Sequence, residues 1–248
     1  MRPSMRMAAC WTAVLTTFAA GPAGAQTEAA PAQPAPQPGT TPTAGTVPMA
    51  EAPAAPAGGA HRWTVESAET VGAGTNVFSG QIGFPGLDLR LIHGLDATTD
   101  VNARIGLNYA FEGLTQGTRF EFTAQVGIRK ELTTFGGNLK LSGRFDPGII
   151  AAASPGQFGL KIPFGLELGI PLSRDLILNA SFDLPLYFTF GDVNAFYIPL
   201  LFGAGAEYML QPNLAVTGKI KLGPTFGTGD ASGSAFTIYV LVGAAYKF

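Results

Sequence analysis

From about residue 75 to the C-terminus, apolar and polar residues alternate, and this alternation restricts the fold more than any other feature of the chain. Successive side chains of a β-strand point to opposite faces, so the pattern predicts strands with one apolar and one polar face. In residues 119–130, for example, one face carries Phe120, Phe122, Ala124, Val126 and Ile128. The alternation predicts ten strands, at about 75–85, 87–95, 101–112, 118–131, 137–146, 157–171, 175–190, 195–209, 213–226 and 235–248.

The predicted strands are joined as repeated hairpins. Four short connections, each after an even-numbered strand, resemble one another and end in an acidic or amide residue: Asp100, Asn138, Asp175 and Asn213. An even number of antiparallel strands closes naturally into a barrel, because closure leaves no free edge. The hairpin at 75–95 has only Pro85-Gly86 as its turn, so eight or twelve strands are the alternatives to ten.

The distribution of charge decides which face of the barrel is outside. Residues 61–248 carry 13 Lys and Arg and 15 Asp and Glu, too few to solvate the exterior of a water-soluble barrel of this size. No apolar run after residue 25 reaches the ~20 residues that a membrane-spanning helix needs. We therefore predict an all-β fold: a single antiparallel up-and-down transmembrane β-barrel of about ten strands over residues 75–248, with its apolar face in lipid.

The residues before the barrel divide into three segments. Residues 1–25 read as a secretory signal peptide, with Arg2 and Arg6 before an apolar stretch and the small residues 23–25 before the cleavage site. Residues 26–60 contain eight prolines, eleven alanines and no aromatic residue, which predicts a disordered periplasmic tether. Residues 61–74 are a lead-in segment to the first strand.

Composition excludes several classes of function. The net charge of −2 gives no basic surface for nucleic acid. The one cysteine, Cys10, falls in the predicted signal peptide, so no disulfide framework or cysteine-based zinc site is expected. With two histidines, His61 and His93, the chain offers little for metal binding, and we predict no cofactor and no metal.

The chain resembles the outer-membrane β-barrel proteins of Gram-negative bacteria over residues 75–248. The most specific element is the C-terminal strand, which ends in Phe248 and has Tyr246 and further apolar residues at alternate positions before it. The resemblance implies that Tyr246 and Phe248 form the signal read by the outer-membrane assembly machinery. It also implies location in the outer membrane with both termini periplasmic. The expected partners are membrane lipid and the assembly machinery, and the tether is a candidate contact for cell wall or other envelope proteins.

Charged residues on the polar face are predicted to line the lumen, and aromatic residues at strand ends, such as Tyr109 and Phe111, to face lipid as girdles. Charges in a partly dry lumen must be paired or hydrated. This leaves two alternatives: a lumen filled by salt-bridged side chains, or a narrow pore with a weak preference for anions. The predicted lining residues are Arg90, Arg104, Glu121, Arg129, Lys140, Arg144, Lys161, Glu167, Asp183, Glu207, Lys219 and Lys221.

The function is predicted from what the barrel lacks. Members of this class that are enzymes use acidic residues and a histidine at the outer rim, or a Ser–His pair, whereas His61 precedes the barrel and His93 ends the second strand, on the predicted periplasmic side. We therefore predict no catalytic residues and no enzyme. The connection at 191–194 is very short, which argues against a large extracellular receptor surface. The prediction is a structural or complex-forming barrel of a cell-envelope assembly; a narrow small-solute channel is the alternative, and an outer-membrane enzyme is a remote one.

Overall fold

The computed structural model describes residues 63–111, 114, 120–136, 138–153 and 156–248. The predicted signal peptide and tether, together with His61, lie outside the described residues. Within these ranges no helix is long and apolar enough to cross a membrane. The described chain is almost entirely antiparallel β-structure. Its strands are β1 (Asn76–Phe84), β2 (Gly86–Gly94), β3 (Thr99–Asn108), β4 (Glu121–Phe135), β5 (Leu139–Phe145), β6 (Gly148–Ala153), β7 (Gly156–Pro171), β8 (Leu176–Gly191), β9 (Ala195–Pro199), β10 (Leu201–Gln211), β11 (Leu214–Gly229) and β12 (Gly233–Lys247).

The sheet closes on itself. All pairings between strands are antiparallel, and β12 pairs with β1 from Val77↔Lys247 to Phe84↔Val240. Strands β5 and β6 share one position between β4 and β7, and β9 and β10 share one position between β8 and β11. The barrel therefore has ten strand positions, which confirms the predicted architecture.

Prolines mark the two interrupted positions. Pro147 separates β5 from β6, and Pro199 ends β9 just before β10 begins. Proline has no N–H to donate to a ladder, so each of these positions lacks one backbone donor. The prediction placed a connection at 147–157; this is wrong, because residues 148–153 form β6 and continue the fifth position.

The turns on one end of the barrel follow the short connections that the sequence indicates. In the turn between β2 and β3, the carboxylate of Asp96 accepts hydrogen bonds from the N–H (2.7 Å) and the hydroxyl (2.9 Å) of Thr98. In the turn between β7 and β8, the hydroxyl of Ser173 accepts the N–H groups of Asp175 and Leu176. Side chains of these types bind the backbone of their own turn and so favour a tight reversal of the chain.

The two faces of the wall have the predicted composition. Along β12, Val240, Val242 and Tyr246 are exposed, whereas Thr237, Leu241 and Ala245 are buried. Along β4, Glu121, Thr123, Gln125 and Arg129 are buried on the inner side. The exterior is thus an apolar surface suited to lipid, and the polar side chains face a closed interior.

Candidate functional site: the barrel lumen

The two ends of the barrel differ in what they carry. The terminal end is the one with Asn76, Phe248 and the turns after β2, β4, β7 and β10; the distal end is the opposite one. At the terminal end, residues 63–72, here called the lumen segment, enter the interior and return to β1. Residues 63–71 are each at most 5% exposed. Their contacts reach β2, β4, β10 and β11, so the segment occupies the lumen itself.

The wall holds the lumen segment mainly through its backbone. The carboxylate of Glu207 accepts the N–H groups of Val65 (2.9 Å) and Glu66 (2.8 Å). The guanidinium of Arg129 donates to the carbonyl oxygens of Ser67 (2.7 Å) and Thr64 (2.9 Å). Charge-assisted hydrogen bonds of this kind are the strong ones in a protein interior. Both charged wall residues are therefore satisfied by main-chain groups of the segment.

A side-chain ion pair adds to these contacts. The carboxylate of Glu66 lies 2.9 Å from the ammonium of Lys219 and 3.8 Å from the guanidinium of Arg90. Arg90 also donates to the carbonyl oxygen of Val65 at 2.9 Å. Because all three charged side chains are at least nine-tenths buried, each depends on the others for compensation of its lost hydration.

The lumen segment is sealed against the terminal end by an apolar cluster. Trp63, Val65 and Val71 pack with the inward side chains Val77 and Ile92. The indole of Trp63 donates to the carbonyl oxygen of Pro212 at 2.9 Å, and the N–H of Val71 donates to the carboxylate of Asp100 at 3.1 Å. Gly72 (φ 91°) and Gly74 (φ 69°) then turn the chain into β1, a backbone conformation that glycine adopts without strain.

The middle of the lumen contains a network of ion pairs. The guanidinium of Arg144 lies 2.6 Å from Asp183, 2.9 Å from Asp146 and 3.1 Å from Glu167. Lys221 pairs with Asp183 at 2.7 Å. Arg144, Asp146, Asp183 and Lys221 border a cavity of about 60 Å³, enough for a few water molecules. Arg104 and Asp88 form a further ion pair on its wall.

An aromatic cluster lies across the distal end. The ring of Phe111 packs against Tyr187 (centroids 5.7 Å apart) and Tyr197 (5.8 Å), and the two tyrosine rings stack at 4.7 Å. Phe111 is 2% exposed, so the expectation of a lipid-facing girdle residue is wrong for it. The cause is local: β3 ends at Asn108, not at residue 112, and the alternation no longer applies beyond it.

The structure places the predicted lumen residues in three groups. Those that contact the lumen segment are Arg90, Arg129, Glu207 and Lys219. Those of the central network and cavity are Arg104, Arg144, Lys161, Glu167, Asp183 and Lys221. The others lie apart: Glu121 accepts the amide of Asn108 at 2.7 Å, and Lys140 pairs with Glu131 at 2.9 Å, partly exposed.

Sequence reasoning missed the lumen segment as part of the site, including Glu66, and also Asp100. One signal was present: after a stretch without aromatic residues, Trp63 and Val65 bring apolar character, and Glu66 and Glu69 bring charge. The predicted assembly residues Tyr246 and Phe248 are exposed on the outer side, where the N–H of Phe248 donates to the carbonyl oxygen of Asn76 at 2.9 Å. Among the described residues, no group of three or more His, Cys, Asp or Glu could hold a metal ion.

Comparison with known proteins gives matches at the level of structure. No family model and no curated protein matches the chain. The in-vitro folded OmpT of Vibrio cholerae, an outer membrane protein, is 15% identical, with 71% of this chain and 61% of that chain covered and a TM-score of 0.35. The loop L8 deletion mutant of the same protein is 14% identical, with 71% of this chain and 59% of that chain covered and a TM-score of 0.34. The chain thus spans about three fifths of the length of these structures.

The closed antiparallel wall, with its apolar exterior and charged interior, decides the class. The chain is a transmembrane β-barrel.

The prediction that this barrel is not an enzyme is corrected by these matches. The prediction also depended on the position of histidine alone, whereas acidic residues, lysine and tyrosine serve in catalysis as well. The positions of the histidines therefore do not exclude an enzyme.

Proposed function

We propose that this barrel is a non-conducting anchor of the outer membrane, with a structural role in a cell-envelope assembly. The observation that carries the proposal is the lumen segment: residues 63–72 fill the terminal half of the interior and are bound by charged groups from several strands. A solute would have to displace these buried contacts before it could pass.

Two further layers support closure of the lumen. The ion pairs around Arg144 link the neighbouring strands β5, β7 and β8 in the middle of the lumen, and the rings of Phe111, Tyr187 and Tyr197 cover the distal end. Barrels of about eight strands have interiors filled by side chains, whereas about sixteen strands are needed for a wide aqueous channel. Ten strand positions lie near the filled end of that range.

The anchoring role follows from where the chain enters. Trp63 lies beside Pro212 at the terminal end, so the N-terminal residues join the barrel there, on the same side as Phe248. In the proposed orientation this is the periplasmic side, and both termini are periplasmic. The proline- and alanine-rich residues 26–60 are then presented to periplasmic partners or to the cell wall.

A narrow channel is the second candidate, and the central cavity is the observation in its favour. Its wall carries five cationic side chains and three carboxylates among the described residues, an excess that favours anions. The cationic ones are Arg104, Arg144, Lys161, Lys219 and Lys221, and the acidic ones are Asp88, Asp146 and Asp183.

Crosslinking in intact membranes followed by purification tests the structural role. The proposal predicts that the full chain is recovered crosslinked to another envelope component, and that a chain lacking residues 30–55 is recovered without it. Heat-modifiable migration on a gel shows whether each barrel is folded. Recovery of only the folded monomer from the full chain would contradict the proposed role.

A further inference from the structure

The outer face of the wall carries two neighbouring apolar grooves near the terminal end. The first, the Gly143 groove, has a volume of about 450 Å³ and is lined by Lys130, Leu132, Gly143, Phe145, Phe164 and Leu166. The second, the Ala103 groove, has about 570 Å³ and is lined by Leu91, Val101, Ala103, Val126, Ile128 and Phe145. Ile128 and Phe145 belong to both and form the ridge between the grooves.

Strand register explains the Gly143 groove. Lys130 of β4 pairs with Gly143 of β5, which pairs with Leu166 of β7. The neighbouring row contains Phe145 and Phe164, whose rings stack with centroids 5.0 Å apart. Because Gly143 has no side chain, a channel is left beside this stacked pair. Two apolar grooves with one ridge between them match the two acyl chains of a single lipid.

Two opposite charges, those of Lys130 and Asp96, lie where the grooves approach the terminal end. Lys130 is exposed on the outer face, and its ammonium donates to the hydroxyls of Thr98 (3.1 Å) and Thr99 (2.9 Å). The same Thr98 hydroxyl donates to the carboxylate of Asp96. Every other lysine or arginine of the described strands is buried or half-buried. An outward lysine at the edge of an apolar belt places its charge at the level of lipid headgroups.

Asp96 supplies the negative charge of this pair. It is fully exposed in the turn, and hydrogen bonds from the Thr98 N–H and hydroxyl, and then from Thr99, hold the pKa of its carboxyl below the ordinary value. The carboxyl is therefore ionised at neutral pH. The cation of Lys130 and the anion of Asp96 are joined through the hydroxyl of Thr98. This pattern is complementary to a zwitterionic headgroup rather than to a purely anionic one.

We propose that the two grooves and this turn bind one diacyl phospholipid with an ethanolamine-type headgroup. Its phosphate contacts the ammonium of Lys130, its amine contacts the carboxylate of Asp96, and its acyl chains lie in the Gly143 and Ala103 grooves. The lipid contributes no new bond to the barrel ladder. It occupies an outer surface that is separate from the lumen, so this site stands independently of the proposed anchoring function.

Native mass spectrometry of the full barrel in mild detergent tests the site. The delipidated protein is offered equal amounts of phosphatidylethanolamine and phosphatidylglycerol. We expect one phosphatidylethanolamine per barrel and about tenfold less phosphatidylglycerol, the scale of one charge-assisted contact. Equal retention of both lipids, or displacement of the bound lipid by inorganic phosphate, would overturn the proposal.

Two matched pairs of variants locate the site. Gly143→Phe should abolish retention, because a side chain there fills the groove and its Cβ meets only the flexible Leu132 side chain, at 3.4 Å. The control Gly218→Phe, also on the outer face and with its nearest atom at 4.0 Å, should retain the lipid. Lys130→Gln should lower retention about tenfold, whereas Lys140→Gln should not. Equal lipid retention within either pair, with all barrels folded by heat-modifiable migration, would overturn the site.

Discussion

Arg129 shows how single residues of the wall bind the lumen segment. Its guanidinium contacts the carboxylate of Asp100 and the carbonyl oxygens of Thr64 and Ser67, and its side chain is 4% exposed. None of these partners reaches water, so loss of the cation would leave Asp100 buried without its charge partner. Removing one member of a buried ion pair is far more costly than the net worth of the pair.

Replacing Arg129 by methionine should therefore lower the free energy of unfolding by about 3–5 kcal/mol. Lys140→Met is the matched control: this lysine pairs with Glu131 at the same end but is 29% exposed, and its loss should cost about 1 kcal/mol or less. Urea unfolding of both variants in lipid vesicles measures the difference. Equal costs would show that Arg129 is not held as described.

At the level of elements, the lumen segment and the strands contribute to the stability of the barrel in different ways. The strand ladders satisfy the backbone of the wall through pairing between neighbours, and no ladder includes residues 63–72. The segment instead compensates charges that the wall buries, among them Glu207 and Lys219. Loss of the segment should weaken the barrel without preventing its formation.

Deleting residues 63–70 should leave a barrel that migrates in heat-modifiable form but unfolds with a free energy lower by about 3 kcal/mol or more, since several buried charges lose their partners. Deleting residues 30–55, which lie before the segment, should change this free energy by no more than about 0.5 kcal/mol. Gel migration and urea unfolding of the two deletions provide the comparison. A deletion of 63–70 with unchanged stability would contradict the role of the segment.

The C-terminal strand β12 carries a separate prediction about assembly. Phe248 is exposed and is hydrogen-bonded to Asn76, so it adds little to the interior. Deleting Phe248 should reduce the amount of barrel inserted in the outer membrane, whereas Phe248→Tyr, which keeps an aromatic terminus, should restore it. Membrane fractionation of the two variants measures insertion. Normal insertion of the deletion would refute Phe248 as an assembly signal.

Sequence patterning anticipated the elements better than the site. The alternation located ten strand positions because each polar face turns inward, but it missed β6, since residues 148–153 contain no polar side chain to alternate. It placed Phe111 on the lipid-facing side because the alternation was extended beyond Asn108, where β3 ends. The lumen segment gave little signal for a physical reason: Arg129 and Glu207 bind its main-chain atoms, which every sequence has.

For the molecule as a whole, the proposed anchoring role depends on closure of the lumen. Three layers contribute, namely the lumen segment, the ion pairs around Arg144 and the aromatic cluster at the distal end. In the proposed function, the closed barrel offers its outer surface and its N-terminal chain for interaction.

Planar-bilayer recording of the purified full-length barrel tests this closure most directly. Insertion is verified by recovering folded protein of heat-modifiable migration from the same preparation. A closed lumen predicts current at background, with no steady openings at either polarity. Steady openings well above background, with an ion preference that the double substitution Lys219→Glu and Lys221→Glu reverses, would contradict it and identify the barrel as a channel.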